Sequence, residues 1–391
     1  MLKSFLRNYL GRSSRKTVLI EGWRGISQSY AMVNQYQLRE LRKYHFNLLH
    51  NDLPFYREEW NSAQNSSGFN EEDNQLIMSV PQQHAEKADV TYRISYPYRF
   101  YESKSDRLFV FGTSEFQNID GRAFNNDIDV GLNNPNLRVI TPSHWSKVGF
   151  LNAGFEDDRV LVIPHGVDAD IYKPSTIQRR KAVRDALGLA DGDFAMLSVG
   201  MMAWNKGIDK LLMAYSHLKK RFRNLRLVLK DQSTLYGMTG RDAINETTSN
   251  YSYHFDDELI SSIIFVSSNL TLSQLSELYG ASDCYVSPYR AEGFNLTPLE
   301  AAACGVPVIL TGGGATDDYC HDSFCIKIAG KKMTDGRKTF IEPDLDSLIS
   351  AIAELVEGTA KDIDPIKAVE HIKNNNSWAI AVEQLVTTFR E

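Results

Sequence analysis

The chain has 391 residues, of which 42% are hydrophobic and 24% are charged, and this composition is typical of a well-packed globular protein. The length favours two domains over one. The net charge of −6 argues against broad, charge-driven binding of nucleic acid. No run of 18 apolar residues exists, so the sequence predicts no membrane-spanning segment.

The first 16 residues, MLKSFLRNYLGRSSRK, carry five cations and no acid, and their apolar side chains fall on one helical face. They lack the long apolar region of a signal peptide, which favours a cytoplasmic protein. Two interpretations of this basic amphipathic leader stay open. It lies on an anionic membrane surface, as a peripheral contact at the inner face of the cell membrane, or it packs on the protein's own body.

Short apolar strands alternate with helices along the first half of the chain. Helices are predicted from about Ile26 and over residues 144–154, and residues 51–80 are predicted to form a polar, irregular loop. The predicted strands are KTVLIEG (16–22), FNLLH (46–50), DVTYRIS (89–95), RLFVFGT (107–113), LRVITPS (137–143) and RVLVIPHGVD (159–168).

A second alternation begins after Pro174, which we take as the domain boundary. The predicted domains are residues 1–174 and 175–375, and residues 376–391 form a last helix that crosses back to the first domain. Residues 231–261 are a predicted polar insertion. The predicted strands are FAMLSVG (194–200), LRLVLK (225–230), SIIFVSS (262–268), CYVSPY (284–289), VPVILT (306–311) and FCIKIA (324–329).

Strands that alternate with helices in both halves predict an α/β protein with two doubly wound, Rossmann-like parallel sheets. Ligands of such sheets bind at the carboxyl ends of the strands. Two domains of this kind that face each other across a cleft would place the functional residues in the turns that follow the strands.

The four cysteines all lie in the second half of the chain and contain no CxxC pair. Reduced, buried thiols are the expected state. The stretch CHDSFC has a histidine between two cysteines, but its spacing matches no common zinc pattern. The Asp-x-Asp triplets at 127–129, 168–170 and 344–346 are a weak metal signal, since an acidic chain contains such triplets by chance.

The stretch YRAEGFNLTPLEAAACGVPVILTGGG (residues 289–314) joins a strand to a turn and then to a helix. Thr297 and Pro298 are typical of a helix start. Glu292 in the turn and Glu300 one helical turn later are predicted to face one pocket, and the free N–H groups of the helix start suit a phosphate. The alternative is a capping box, in which Glu300 only returns a hydrogen bond to the backbone of Thr297.

The segment PYRAEGFNLTPLEAAACGVPVI (288–309) closely resembles the E-x7-E signature of retaining glycosyltransferases with the two-domain GT-B fold, family GT4. Other blocks are similar to those of the family, in the same order, and the resemblance covers about residues 90–310. These blocks are VITPSHWSKVGF (139–150), VLVIPHGVDADIYKP (160–174), LSVGMMAWNKGIDKLL (197–212) and LSELYGASDCYVSP (275–288).

The resemblance implies a donor site for a nucleotide sugar. Glu292 would contact the transferred sugar, Glu300 would accept hydrogen bonds from the ribose, and Lys206 would neutralise the diphosphate of the leaving group without a metal. The other donor-side positions are Gly25, Gly200, Gly293, Phe294, Asn295, Leu296 and Thr297.

The chain departs from the family at Met201, where relatives often have an arginine that forms a basic pair with the lysine. Lys230, at the end of its strand, and Arg290, just before Glu292, are two candidates for the second cation. Without one, we expect weaker stabilisation of the leaving group.

The first domain should supply the acceptor side. Arg24 lies in the Gly22–Gly25 turn, which resembles the family's flexible glycine loop. The turn after RLFVFGT lacks the histidine of many relatives, and Glu115 is the predicted polar residue there. His144 either reaches the cleft or only begins a helix, and His165 is predicted to be structural.

The resulting hypothesis is a retaining, metal-independent hexosyltransferase that needs no cofactor beyond its nucleotide sugar. UDP-glucose is the donor that family frequency favours, and the acceptor would be a saccharide or glycolipid of polysaccharide or envelope biosynthesis. A nucleotide-sugar epimerase of the same fold and a non-catalytic nucleotide-sugar-binding protein are the alternatives. An NAD-dependent oxidoreductase is disfavoured, because GWRGIS and TGGGATD both lack the G-x-G-x-x-G spacing.

Overall fold

The computed structural model describes residues 15–83, 87–101, 103–119, 121–124 and 128–391. The basic leader predicted for residues 1–16 therefore lies outside the described residues, except for its last two positions. Asp127 of the first Asp-x-Asp triplet lies outside them as well.

The N-terminal domain contains a six-stranded parallel sheet with the strand order β2-β1-β3-β4-β5-β6. Its strands are nearly continuous apolar runs, as expected for a parallel sheet that helices cover on both faces. The strands are β1 (Thr17–Gly22), β2 (Asn47–Asp52), β3 (Val90–Ile94), β4 (Arg107–Phe111), β5 (Leu137–Thr141) and β6 (Val160–Val162), and the helices are α1 (Ser29–Leu41), α2 (Glu71–Met78), α3 (Ile128–Leu132) and α4 (His144–Asn152).

The C-terminal domain contains a second six-stranded parallel sheet, ordered β12-β11-β10-β7-β8-β9. Its strands are β7 (Phe194–Gly200), β8 (Leu225–Asp231), β9 (Ile263–Val266), β10 (Cys284–Ser287), β11 (Val308–Thr311) and β12 (Cys325–Ile328). An antiparallel hairpin of β13 (Gly330–Asp335) and β14 (Lys338–Pro343) follows this sheet.

Ten α-helices of the described chain follow the N-terminal sheet, and nine of them belong to the C-terminal domain. They are α5 (Ile177–Ala186), α6 (Ile208–Lys219), α7 (Ser233–Tyr236), α8 (Gly240–Tyr251), α9 (Asp257–Ser261), α10 (Leu272–Ala281), α11 (Leu296–Ala303), α12 (Leu345–Val356), α13 (Pro365–Asn375) and α14 (Trp378–Arg390).

The two parallel sheets confirm the predicted α/β fold with two Rossmann-like domains, which is the GT-B architecture. In the second sheet the strand order reverses between β7 and β10. Ligands bind at such switch points, beyond the carboxyl ends of the strands. The turns after β7 and β10 are those that carry Lys206 and Glu292.

Helix α14 packs on the N-terminal domain, although it follows the C-terminal domain in the chain. Its apolar stripe, which includes Val382, Leu385 and Phe389, is buried in the core of the first domain. The ring of Trp378 stacks on that of Tyr36, with ring centroids 4.9 Å apart. Burial of this stripe therefore ties the end of the chain to the first domain.

Several elements differ from the sequence predictions. Helix α1 begins at Ser29 rather than near Ile26, because the side chain of Gln28 caps it by accepting from two backbone N–H groups. Residues 51–80 contain α2 and the buried Trp60, so they are more than a polar loop. The insertion predicted at 231–261 folds into α7, α8 and α9.

Candidate active site

A cavity of about 580 Å³ lies between the two domains, and both contribute to its walls. This volume is in the range of small-molecule and cofactor sites. From the N-terminal domain come residues near the ends of β1 and β4, among them Gln28 and Glu115. From the C-terminal domain come the turns after β7 and β10, among them Lys206, Glu292 and Glu300.

Helix α11 points its first turn into this cavity. Asn295 is its N-cap residue, with φ +69°, and its side chain makes no capping hydrogen bond to the helix. The helix thus begins one residue before the predicted Thr297. The N–H groups of the first turn, which no side chain caps, and the positive end of the helix dipole favour an anion at this position.

The alternative capping box is wrong. Glu300 Oε2 accepts a hydrogen bond from the Tyr279 hydroxyl at 2.8 Å, in a helix that has no such box. The Thr297 hydroxyl donates to Asn295 Oδ1 at 3.1 Å and lies 2.6 Å from the donating Tyr285 hydroxyl. The Glu300 carboxylate therefore lines the cavity and does not cap the start of the helix.

Gly293 brings the helix start against the N-terminal domain. Its carbonyl accepts a hydrogen bond from Ser143 Oγ at 2.7 Å. A Cβ atom at this position would lie 2.7 Å from the Cβ of Thr113. Glycine is required here because any side chain at position 293 would clash with Thr113 of the other domain.

Lys206 lies at the meeting point of both domains. Its Nζ is 2.6 Å from Glu292 Oε1 and 3.9 Å from Glu115 Oε1. Asn205 Nδ2 also donates to the carboxylate of Glu115, at 3.0 Å. The structure thus brings Lys206 and Glu292, the predicted donor-side residues, together with Glu115, the predicted acceptor-side residue.

The short turn that carries Lys206 depends on the glycine that ends it. Gly207 has φ +70°, a conformation that side chains disfavour. A Cβ at Gly207 would lie 1.8 Å from the carbonyl oxygen of Pro288. This close approach holds the turn after β7 against the end of β10 and sets the position of Lys206 relative to Glu292.

The charges of this group influence each other strongly. Burial alone would lower the pKa of Lys206, but Glu292 and Glu115 outweigh it and raise the pKa above its ordinary value. Burial raises the pKa of Glu292, while Lys206 opposes that effect. Lys206 therefore stays protonated, and its ammonium group interacts with two carboxylates, those of Glu292 and Glu115.

Glu300 lies in a different environment at the other end of the cavity. Burial raises its pKa to about 7, against the opposing effect of the Tyr279 hydroxyl. The Tyr172 hydroxyl also acts to lower this pKa, and the buried side chains of Tyr36 and Tyr172 line the same cavity. This end offers hydroxyl groups and one carboxylate, which suits a neutral polar group such as a diol.

Lys230 is the second lysine of the cavity wall. Its Nζ donates to the carbonyl of Asp231, and burial lowers its pKa. Gly200, with φ +132°, and Met201 also line the wall. Among the described lining residues, Lys206 and Lys230 are the only lysine or arginine side chains, so of the two candidates for the second cation it is Lys230 that lines the cavity.

Arg290, the other candidate for the second cation, points away from the cavity. Its buried guanidinium binds Asp209 through two hydrogen bonds of 2.6 and 2.7 Å. It also binds Glu342 at 2.6 and 3.0 Å and the carbonyl of Trp204 at 2.8 Å. Arg290 therefore fixes the turn before Glu292 and has no free donor for a phosphate.

The glycine turn after β1 also lies apart from the cavity wall. Arg24 is buried and binds Asp52 at 2.6 Å. Gly25 has φ +83°, and its N–H donates to Gln35 Oε1 at 2.8 Å. The cavity is lined instead by the next residues, Ser27 and Gln28.

The two histidines take different places. The side chain of His144 is 78% exposed and lies 3.1 Å from Asp318, outside the cavity wall, so of its two interpretations the helix start describes its position. His165 lines the cavity among the rings of Phe294 and Trp378. Burial lowers its pKa to about 3, which keeps it neutral.

Sequence reasoning missed several polar residues of the cavity. Asn205 was visible beside Lys206 but carried no motif of its own. Gln232, Tyr236 and Asn269 come from loops whose path the sequence pattern does not show. Among the described residues, no group of three or more His, Cys, Asp or Glu side chains could hold a metal ion.

Residues 179–371 match the family model described as Glycosyl transferases group 1. Curated relatives include the D-inositol 3-phosphate glycosyltransferase of Xylanimonas cellulosilytica, 30% identical over 41% of this chain and 37% of that protein. That of Corynebacterium aurimucosum is 29% identical over 66% of this chain and 58% of that protein. The chain thus spans about 37% to 58% of the length of these two relatives.

Solved structures share the fold over nearly the whole chain. A glycosyltransferase from Rickettsia africae has a TM-score of 0.70 at 14% identity, covering 96% of this chain and 98% of that one. Anabaena HepE in complex with UDP-glucose has a TM-score of 0.65 at 16% identity, covering 96% of this chain and all of the other. WaaG, a glycosyltransferase involved in lipopolysaccharide biosynthesis, has a TM-score of 0.63 at 14% identity, covering 95% and 99%.

The likeness to solved structures shows the GT-B fold, and the family model matches most of the C-terminal domain. The part of the chain that matches the family model holds Lys206, Glu292 and Glu300. In the described part of the chain, no helix has the length and apolar character needed to cross a membrane.

Proposed function

We propose that the protein is a retaining, metal-independent hexosyltransferase of family GT4. The donor would be a nucleotide-diphosphate hexose, with UDP-glucose as the best candidate. The observation that carries the proposal is the group formed by Lys206, Glu292 and Glu115, which lies in one cavity with the open start of α11.

In this proposal the donor would extend along the cavity. The ribose hydroxyls would donate to Glu300, and the diphosphate would lie between the N–H groups of α11 and Lys206. Lys230 would add a second charge, in the role that an arginine at Met201 has in relatives. The hexose would then lie near Glu292, on the side of the cavity that faces Glu115.

In the proposed step, the bond between the anomeric carbon and the diphosphate oxygen breaks, and the electron pair leaves with the diphosphate. Lys206 balances the developing charge, which is electrostatic stabilisation of the transition state. The acceptor hydroxyl, oriented by Glu115, attacks from the face that the diphosphate leaves, and its proton passes to the leaving phosphate oxygen. The new bond forms on the same face, so the anomeric configuration is retained.

The donor and acceptor classes rest on different support. UDP-glucose is favoured by family frequency and by the fold of Anabaena HepE, which was solved with that molecule. The acceptor would be a saccharide or glycolipid of polysaccharide or envelope biosynthesis. D-inositol 3-phosphate joins the acceptor candidates because the curated relatives carry it in their name.

The proposed location is the cytoplasm, with residues 1–16 as a peripheral contact to the membrane. Deletion of these residues should lower the fraction of protein that sediments with anionic vesicles. Equal sedimentation of the full chain and the shortened chain would contradict that contact.

The test of the activity is release of nucleoside diphosphate from UDP-, GDP- and ADP-glucose in EDTA, with and without candidate acceptors. We expect one donor to be turned over by the wild type and the rate to fall about 100- to 1,000-fold in Lys206→Ala. The matched control is Lys220→Ala, which removes an exposed lysine at the end of α6. Binding of a nucleotide without turnover of any donor would favour the non-catalytic alternative that Met201 suggests.

A further inference from the structure

The hairpin β13–β14 belongs to the C-terminal domain but reaches the N-terminal domain. The backbone N–H of Thr339 donates to the carbonyl of Phe116 at 2.8 Å. The Lys338 ammonium lies over the Phe116 ring at 5.2 Å, and that of Lys332 lies over the Trp145 ring at 5.6 Å. The side chain of Ile341 packs in a small buried cluster with Trp145.

The contacts place this hairpin directly beside Glu115. Phe116 follows Glu115 in the chain, and Trp145 Nε1 donates to the carbonyl of Glu115 at 2.8 Å. The hairpin therefore contacts Phe116 and Trp145, which are both neighbours of the predicted acceptor-side carboxylate.

The hairpin concentrates positive charge in a chain whose net charge is −6. Residues 331–338 carry the four cations Lys331, Lys332, Arg337 and Lys338 and a single acid, Asp335. Strand β13 is exposed along its whole length. None of the four cations forms an ion pair with a described residue, while the nearby Glu342 is already held by Arg290 and Lys210.

Unpaired cations that are fixed at the edge of a cleft raise the local concentration of anions. Two of the four are anchored over aromatic rings, so the charges are held close to the cleft although the side chains are exposed. A phosphate that lies outside the cavity could contact several of these cations while a hydroxyl of the same molecule reaches Glu115.

We propose that the hairpin β13–β14 is an anion-binding arm that recognises a phosphate group on the acceptor. The inference rests on the proposed function, since it takes Glu115 to mark the acceptor side. It assigns the acceptor to phosphorylated saccharides or polyols and makes the four hairpin cations specificity determinants.

Glucose 6-phosphate and glucose are the paired probes, titrated into protein whose donor site is saturated with nucleoside diphosphate. At low salt we expect the wild type to bind glucose 6-phosphate at least tenfold more tightly than glucose. The preference should shrink as salt is raised, because these charges are exposed and screened.

The variant that tests the arm replaces Lys331, Lys332, Arg337 and Lys338 by glutamine. A milder variant, Lys331→Gln with Arg337→Gln, leaves both aromatic contacts in place and guards against loss of the hairpin fold. The matched control, Lys220→Gln with Lys361→Gln, removes two exposed lysines elsewhere. We expect the preference for glucose 6-phosphate to fall to about threefold or less in the fourfold variant, to fall in part in the milder one and to persist in the control.

Equal preference in the wild type and the fourfold variant would overturn the inference, and so would a wild type that does not discriminate between the two probes. Loss of sedimentation with anionic vesicles, with unchanged binding of glucose 6-phosphate, would assign the arm to a membrane and overturn it as well. Donor hydrolysis without acceptor reports separately on the proposed function. If the wild type turns over no donor and the variants lose binding of glucose 6-phosphate, the result supports the anion-binding arm and contradicts the proposed transferase activity.

Discussion

Glu292 and Glu300 stand eight positions apart in one turn and helix, yet they lie in opposite electrostatic environments. Glu292 has the Lys206 ammonium at 2.6 Å. Glu300 receives a tyrosine hydroxyl at 2.8 Å, and its pKa is raised to about 7. One end of the cavity is thus arranged around a cation, and the other around neutral hydroxyl groups.

This difference shows how one helix start can serve a ligand with two unlike parts. Charged phosphates need compensating charge at the Lys206 end. A ribose diol needs only an acceptor, which the Glu300 carboxylate supplies once it is ionised. The raised pKa of Glu300 is then a cost of keeping a carboxylate in a pocket without a cation, as expected at a binding site.

The largest expected effect comes from Arg290, which fixes the turn that precedes Glu292. Arg290→Met should lower the free energy of unfolding by roughly 3–5 kcal/mol, because it leaves the buried Asp209 without its partner. Urea unfolding followed by circular dichroism measures this change. The control Arg221→Met breaks an exposed pair with Glu357 and should cost about 1 kcal/mol or less. Equal losses in the two variants would show that Arg290 is not the anchor.

Removal of the charge at the Lys206 end should come next in size. Glu292→Gln should lower donor turnover by about 100-fold, since one buried hydrogen-bonding group at the reacting centre is worth roughly 2–3 kcal/mol. Its affinity for nucleoside diphosphate should be unchanged or higher, because Lys206 loses a competing carboxylate. Steady-state rates and calorimetric titration separate the two effects. A parallel loss of turnover and nucleotide affinity would contradict this assignment.

At the other end, the pH dependence of nucleotide affinity should follow Glu300. A carboxyl with a pKa of about 7 is mostly neutral at pH 6 and mostly ionised at pH 8, so acceptance from the ribose strengthens as pH rises. We expect the affinity to increase by up to about tenfold over this range. The affinity of Glu300→Gln should not show this increase with pH. An identical pH profile in both proteins would be inconsistent with the role of Glu300.

The smallest effect concerns stability without ligand. The folded-state pKa of Glu300 is raised above the unfolded value, so this group binds more protons when folded and loses stability as pH rises from about 4.5 to 7. Glu300→Gln should therefore raise the Tm relative to the wild type at pH 8 and leave it nearly unchanged near pH 4. Thermal scans at the two pH values check this sign, and a lower Tm for the variant at pH 8 would contradict it.

The sequence predicted the fold class because the period of its apolar residues alternates between strands and helices in both halves. The family resemblance implied that Lys206 and Glu292 share a site, and both follow strands of one parallel sheet, where ligands of such sheets bind. The contact of Glu115 with Asn205 could not be predicted in this way, because it depends on how closely the two domains approach.

Arg290 and His144 show where local reasoning fails. A cation next to a catalytic turn and a histidine at a helix start are both plausible site residues by position alone. The structure gives Arg290 two carboxylate partners that are both distant in the chain, Asp209 in α6 and Glu342 in β14. It places His144 at the surface with Asp318. Such long-range pairs leave no local pattern in the sequence.

The most direct test of the division between the two ends is a crossed titration. The nucleoside diphosphate that the donor panel identifies and the corresponding nucleoside are each titrated into wild type, Lys206→Ala and Glu300→Gln. We predict that Lys206→Ala weakens only the diphosphate, whereas Glu300→Gln weakens both ligands by a similar factor. A Lys206→Ala protein that loses affinity for both ligands equally, or a Glu300→Gln protein that binds the nucleoside like the wild type, would contradict the account.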